Sequence, residues 1–311
     1  MNKVLITGAT GFLGSYITHF LLDANIDVIG LKRGKSGMSR LNGREARIKW
    51  INMDEPHWQQ EVEKSCPDIF IHCAWLGVES FQRNVWEIQL ENINLLQQLL
   101  SLAIKCKANK FIGLGSQAEY GAFDGVITEQ SPLAPNSVYG QVKVCCSKMV
   151  ESCCAENGIE WFWLRLFTFF GAGEGENWLI PSTVKAICNK EKLELTAGEQ
   201  KYAYMHASVL GNIIGTILAS QGKEGIYNIS SYDAVSIKEL VTRIRNVVDK
   251  DYQLSFGSLP YRPGQAMHMQ GDMTKYNHSF GIITDLDLED ALRDTINYYL
   301  NIFNHRLDES I

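Results

Sequence analysis

Lys3-Val4-Leu5-Ile6-Thr7-Gly8-Ala9-Thr10-Gly11-Phe12-Leu13-Gly14 is the stretch that decides how this chain folds. Its first five residues are mostly apolar and β-branched without alternation, the pattern of a short parallel strand buried on both faces. Leu13, Ile17, Phe20 and Leu21 then recur at helical spacing, which predicts a helix packed back on the sheet. Glycines at the strand-to-helix turn let the backbone bend tightly and approach a ligand closely. A helix N-terminus adds unpaired N–H groups and a positive dipole end, so the turn suits a pyrophosphate. Two residues lie between the first two glycines, rather than the one of the commonest fingerprint. Glycine punctuation alone is the plainer reading, but the place of the loop directly after such a strand favours a dinucleotide cradle. Gly8, Thr10, Gly11, Phe12, Leu13 and Gly14 are the expected cofactor contacts.

The next strand, Ile26 to Leu31, runs into Lys32-Arg33. A chain that prefers NAD usually has an acidic residue here to accept from the adenosine ribose hydroxyls. Two cations would instead meet a 2′-phosphate, Arg in a bidentate fork, so NADP(H) is favoured over NAD(H). Asp54, after Trp50-Ile51-Asn52-Met53, stands where a carboxylate could hold the adenine amino group.

Apolar strands continue to alternate with helical patterns: Asp68 to Ala74, a helix from Val85 to Leu102, Lys110 to Leu114, a helix from Val138 to Ala155, and Trp161 to Leu166. This alternation predicts an α/β fold, a doubly wound parallel sheet of Rossmann type with helices on both faces. Ligands in such sheets lie outside the carboxyl ends of the strands, where Gly8, Ala74, Ser116 and Phe167 would gather. Beyond Phe167 the pattern loosens, with short strands expected near Leu193-Glu194-Leu195 and Tyr252-Gln253-Leu254. The expected organisation is a dinucleotide-binding domain over 1–166 with a return near 204–220. A smaller mixed α/β substrate domain would occupy most of 167–311, with the cleft between them as the substrate site.

Composition fits a globular enzyme: 311 residues, 45% hydrophobic and 21% charged. No apolar run reaches membrane-spanning length, and the chain opens directly on a strand, so neither a membrane partner nor a secretory leader is expected. A net charge of −6 argues against nucleic acid as a partner. The eight cysteines lack CxxC spacing, so the reading is free thiols in a cytoplasmic protein and no metal.

Carbonyl reduction needs a hydride at carbon and a proton at oxygen. A free tyrosine, with a pKa of about 10, is a poor proton source and sink near neutrality. A lysine ammonium beside it favours the phenolate. Tyr139 and Lys143 are four apart on a helix that Pro135-Asn136-Ser137 introduces, so both face one edge of a bound nicotinamide ribose. Ser116 would donate to the same substrate oxygen. A chance pairing of Tyr and Lys is the alternative, and the dinucleotide loop upstream weighs against it.

With these motifs on the page, the chain resembles the extended short-chain dehydrogenase/reductases that act on nucleotide sugars. The resemblance covers nearly the whole length. It rests on the glycine loop, His72-Cys73-Ala74, Asn92, Gly115-Ser116-Gln117-Ala118-Glu119-Tyr120-Gly121, Tyr139-Gly140-Gln141-Val142-Lys143, Arg165-Leu166-Phe167-Thr168 and Arg262-Pro263-Gly264-Gln265. It implies Ser116, Tyr139 and Lys143 as the catalytic set, with Lys143 anchoring the ribose. Cys73, Ala74, Asn92 and Phe167 become further cofactor contacts, and Trp75 and Gln117 substrate contacts. The family's 4,6-dehydratases carry an Asp-Glu pair directly after the active-site hydroxyl. Gln117 and Ala118 stand there in this chain, which argues against dehydration. The basic pair and the Ser116–Gly121 stretch look more like NADPH-dependent 4-ketoreductases of nucleoside-diphosphate 6-deoxysugars used in surface polysaccharide. A 4-epimerase with tightly held NAD is the nearest rival. A non-catalytic NADP-binding regulator is another, less expected because both Tyr139 and Lys143 are present.

By the same resemblance, Thr168 replaces the usual Asn, and Lys201 replaces an Arg that grips the substrate diphosphate, losing its bidentate geometry. Arg262 would make the second diphosphate contact. Tyr204 and Trp178 would line the nucleotide or sugar subsite, or pack in the core. His72 and His206 read as structural. The helices from Val85 and of Tyr139 are similar to those that pair as a four-helix bundle in family homodimers, so a homodimer is expected.

Overall fold

Seven parallel strands form the main sheet of the computed structural model, which describes residues 3–262 and 264–308. The strands and helices of its first half are β1 (Lys3–Thr7), α1 (Phe12–Asp23), β2 (Asp27–Lys32), β3 (Lys49–Asn52), α2 (Trp58–Ser65), β4 (Ile69–His72), α3 (Trp86–Lys105) and β5 (Lys110–Ser116). There follow β6 (Gly125–Ile127), α4 (Val138–Glu156), β7 (Glu160–Leu166), β8 (Thr168–Phe170), α5 (Leu179–Cys188), β9 (Lys201–His206), α6 (Val209–Ala219) and β10 (Gly225–Ile229). The last elements are β11 (Ala234–Ser236), α7 (Ile237–Val248), β12 (His268–Gly271), α8 (Thr274–Phe280) and α9 (Leu288–Asp308).

The main sheet runs β10-β7-β5-β4-β1-β2-β3. The chain thus builds β1 to β3 toward one edge, returns to the centre at β4 and continues to the other edge. That reversal makes a crevice between the carboxyl ends of β1 and β4, where Thr7 pairs with His72. Apolar cores cover both faces. Val4, Ile6, Ile71 and Phe162 pack with α1 and α6, and Leu5, Phe70, Phe111 and Trp163 pack with α3 and α4. Strand residues on opposite faces are buried alike, which explains the unbroken apolar runs in the sequence.

Later elements serve both halves. Helix α6 lies on α1 and β10 joins the main sheet beside β7, whereas β6, β9, β11 and β12 form a second sheet with β8 alongside β9. A third core, with Ile180, Val184, Leu240 and Leu292, holds α5, α7 and α9 together. The strands expected near 193–195 and 252–254 do not form. Only an isolated bridge joins Glu194 to Ser255, and the neighbouring backbone is instead tied by side chains, including the Ser258 hydroxyl accepting from Leu195 N–H at 3.1 Å. Elsewhere the observed ends move by a few residues. Strand β4 stops at His72, and β5 extends to Ser116 before a tight turn over Gln117–Glu119.

Candidate active site

The glycine loop closes on itself at the centre of the sheet. Gly8 has φ +71°, and a Cβ there would lie 2.7 Å from the backbone nitrogen of Ala74. A Cβ on Gly14 would lie 2.0 Å from the Gly8 carbonyl oxygen. Gly11 is the N-cap of α1, no side chain caps that end, and its first turn carries no acid. The first N–H groups of α1 are therefore left for an outside acceptor beside β4, which is what a pyrophosphate needs. Replacing Gly14 by Ala is expected to push α1 off the loop and weaken dinucleotide binding at least about tenfold, since even 1.4 kcal/mol of misfit gives that factor. Titration of nucleotide fluorescence would measure it.

Around this cradle, Thr7 Oγ1 bonds His72 Nδ1 at 2.8 Å and accepts from Ala74 N–H at 3.1 Å. Burial lowers His72 to about 3, so its ring is neutral and its role here is to hold Thr7 and the Ala74 turn. Burial also pushes the Cys73 thiol up to about 12. Lys32 ends β2 over the ring of Trp50, and Arg33 beside it is exposed. Asp54 accepts from Gly34 N–H at 2.7 Å through Oδ2, fixing the turn after the two cations. Asn92, expected at the cofactor, uses its side chain on Leu76, accepting its N–H at 2.7 Å and donating to its carbonyl at 3.1 Å. It therefore shapes the loop after β4.

Beyond the crevice, three expected residues come together. The Tyr139 phenol and the Ser116 side chain face each other, and Lys143 lies one helical turn below, its Nζ 5.8 Å from the Tyr139 ring centre. The α4 N-cap Ser137, whose hydroxyl accepts from Gly140 N–H at 3.1 Å, starts the helix so that this face turns inward. Lys143 donates to the Leu114 carbonyl at 2.6 Å and sits 3.4 Å from the centre of the Trp75 ring. Trp75 is braced by its indole N–H on Gln89 at 3.0 Å and packs edge-on against Tyr139.

The electrostatics differ from the simple expectation. Burial pushes the Tyr139 phenol above its ordinary value, while the Ser116 hydrogen bond and the Arg83 guanidinium pull it back and Glu119 adds to the rise. Burial meanwhile lowers Lys143 to about 8. The cation against the phenol ring is thus Arg83, at 5.1 Å, rather than Lys143 alone.

Beneath Ser116 lies a network that motif reading leaves unassigned. The Glu119 carboxylate accepts from Ser116 N–H at 2.9 Å, Trp163 Nε1 at 2.8 Å and Arg165 Nε at 2.7 Å. Arg165 also donates to Tyr120 Oη at 2.9 Å, and Tyr120 to Asn228 at 2.7 Å. Glu119 and Arg165 are 0% and 1% exposed, a buried pair with its lone pairs answered. The signal available in sequence is Ser116-x-x-Glu119, the capping-box spacing, and the two side chains do form that box.

The expected substrate contacts are spread more widely. Gln117 follows Ser116 in the tight turn, and Thr168 opens β8 opposite Tyr204. Trp178 is the N-cap of α5 and is 40% exposed, with Arg83 5.9 Å from its ring centre. Tyr204 is buried against Phe170 in the third core, the packing alternative for this aromatic. The Phe167 ring meets Tyr120, Phe123 and Gly271, on the side of the second sheet. Lys201, exposed, opens β9, and Arg262 is exposed with its carbonyl accepting from Gln265 N–H. Pro263 of that motif lies outside the described residues. His206 bonds Ser208 and packs against Phe170 and Tyr16.

A doubly wound sheet with a glycine cradle at its switch point defines a dinucleotide-binding protein. The chain belongs to the NAD dependent epimerase/dehydratase family, whose model matches residues 4–230. It is 22% identical to CDP-abequose synthase of Salmonella muenchen over 95% of this chain and 97% of that protein. Its fold is similar to UDP-N-acetylglucosamine 4-epimerase from Methanobrevibacter ruminantium M1, solved with UDP-N-acetylmuramic acid. The TM-score is 0.87 at 24% identity, over 97% of this chain and 99% of the other. UDP-glucuronic acid 4-epimerase from Bacillus cereus in complex with NAD is similar as well, with TM-score 0.83, 20% identity, and coverage of 97% and 99%. The chain is therefore of the extended short-chain dehydrogenase/reductase type. Among the described residues no helix is long and apolar enough to cross a membrane.

Proposed function

We propose that this chain is an NADPH-dependent reductase of the C4 ketone of a nucleoside-diphosphate 4-keto-6-deoxyhexose. The observation that carries the reading is the meeting of the Ser116 hydroxyl and the Tyr139 phenol, with buried Lys143 one turn below, at the carboxyl edge of the sheet. The glycine cradle and the uncapped end of α1 would hold the pyrophosphate, and Lys32 and Arg33 a 2′-phosphate. When bound, the dinucleotide supplies the hydride. Ser116 orients the substrate carbonyl by donating a hydrogen bond, Tyr139 gives its phenolic proton to that oxygen, and Lys143 holds the ribose edge within reach of Tyr139. Trp75 and Gln117 border this point, with Trp178 at its outer side. Lys201 and Arg262 are the cations for the diphosphate.

Reduction over dehydration is supported by Gln117 and Ala118, which offer no acid or base after Ser116. Full-length similarity to a CDP-abequose synthase supports a nucleotide sugar as the substrate. A 4-epimerase that retains NAD is the second reading, supported by the names of the two structural neighbours. A purified sample separates them. Stoichiometric loss of reduced-nicotinamide absorbance with a 4-keto sugar marks the reductase, and interconversion of sugars with no net loss marks the epimerase.

Cofactor choice has its own test. Lys32→Asp together with Arg33→Ser is expected to lower the preference for NADPH over NADH about ten- to a hundredfold, the worth of one charge-assisted hydrogen bond of 1.5–3 kcal/mol. The ratio of kcat/KM values measures it, and an unchanged ratio removes the two cations from cofactor selection. A homodimer through α3 and α4 is supported by Leu90 and Ile104, exposed on α3. Light scattering would read its mass. Eight free thiols agree with a cytoplasmic location.

A further inference from the structure

We propose that Arg83, in the loop between β4 and α3, is a positioning residue that supplies the cation for the Tyr139 phenol and ties it to the outer wall of the cleft. The inference rests on the reading of Tyr139 as the proton-transfer group. Arg83 is attached to Tyr139 twice. Its carbonyl accepts from Tyr139 N–H at 2.8 Å, at the first turn of α4, and its guanidinium lies 5.1 Å from the centre of the Tyr139 ring. Its Nε donates to the Val78 carbonyl at 2.8 Å, which turns the planar group toward the aromatic rings. The same guanidinium lies 5.9 Å from the ring centre of Trp178, the residue that starts α5. One side chain thus spans from the proton donor on α4 to the substrate-domain helix across the mouth of the site. Asn84 next to it accepts from Val138 N–H at 3.1 Å, so the loop and the start of α4 are joined at consecutive residues.

The other charged groups around Tyr139 leave this task to Arg83. Lys143, on α4, is engaged with Leu114 and Trp75, and burial weakens its hold on its own proton. Glu119, after β5, faces the site with negative charge but is bonded to Arg165, Trp163 and the Ser116 backbone. Ser116 contributes a neutral hydrogen bond. Arg83 is half-exposed, and its planar guanidinium presents a delocalised positive charge to the phenol ring.

Sign follows from the chemistry. In the reductive direction the phenol must carry its proton, so kcat/KM falls as pH rises through the Tyr139 pKa. Arg83 favours the phenolate. Its removal raises that pKa and moves the basic limb to higher pH, by about one unit for an opposite charge at this range. The experiment compares pH profiles of kcat/KM for Arg83→Gln, Arg83→Met, Arg83→Lys and the parent enzyme, with a 4-keto sugar nucleotide and NADPH. Circular dichroism melts report folding. The expected result is an upward limb shift of about one unit in both neutral variants and recovery of most of it in Arg83→Lys. A raised KM with an unmoved limb in whichever neutral variant folds would overturn the proposal. Tyr139→Phe, run alongside, separates the two ideas: turnover retained there defeats the underlying reading, whereas loss there with an unmoved Arg83 limb defeats this inference alone.

Discussion

Replacing Tyr139 by Phe is expected to lower turnover by about 10²–10⁴-fold, the contribution of a positioned general acid, while leaving dinucleotide binding and stability nearly unchanged. The substitution removes one oxygen. The ring keeps its edge contact with Trp75 and its place under Arg83, and the backbone bond to Arg83 does not involve the side chain. What goes is the hydroxyl that meets Ser116 and would deliver a proton to the substrate. Steady-state kinetics and nucleotide titration on the same sample would check both halves. Activity within a few-fold of the parent, at intact binding, would move the acid elsewhere.

Replacing Glu119 by Ala is expected to destabilise the protein by about 3–5 kcal/mol, the scale of orphaning one member of a buried ion pair. Three donors lose their acceptor at once: the Arg165 guanidinium, the Trp163 indole and the Ser116 amide. Arg165 retains only Tyr120 in a place where water does not reach it. Glu119→Gln preserves shape and one acceptor, so its loss should be smaller. Because Glu119 also fixes the turn that presents Ser116, any folded Ala variant should lose activity as well. Urea denaturation followed by circular dichroism gives the energy. A change below about 1 kcal/mol, the range of surface pairs, would show that this network is not needed for the fold.

Much of the frame was legible because it follows from local rules. The run Val4-Leu5-Ile6 admits a two-sided buried strand, and close approach forces glycine at positions 8 and 14, so the cradle could be placed without tertiary information. Tyr139 and Lys143 were readable from their helical spacing after a helix-start signal, taken together with the dinucleotide loop upstream. Residues whose roles depend on partners distant in the chain were not. Glu119 and Arg165 are 46 residues apart, and Arg83 looks in sequence like an ordinary loop cation. Tyr204 could line a subsite or fill a core equally well, and only the position of Phe170 decides for the core. Apolar Leu193 and Leu195 suggested a strand, but no neighbouring strand offers them a ladder beyond one bridge. Asn92 was expected at the cofactor from the family resemblance. Its partner proved to be the Leu76 backbone, a contact that spacing does not reveal.

The central claim is that a phenol and a hydroxyl at the carboxyl edge of this sheet protonate a sugar ketone while a bound reduced dinucleotide is oxidised. The most direct test incubates the purified chain with NADPH and a panel of CDP-, dTDP-, GDP- and UDP-linked 4-keto-6-deoxy sugars, following absorbance and analysing products by NMR. Reduced nicotinamide should disappear in equal amount with one of these substrates as a single new C4 carbinol forms. Binding of NADPH without consumption of it by any ketone, or interconversion of 4-hydroxy epimers with the cofactor left unchanged in total, would contradict it.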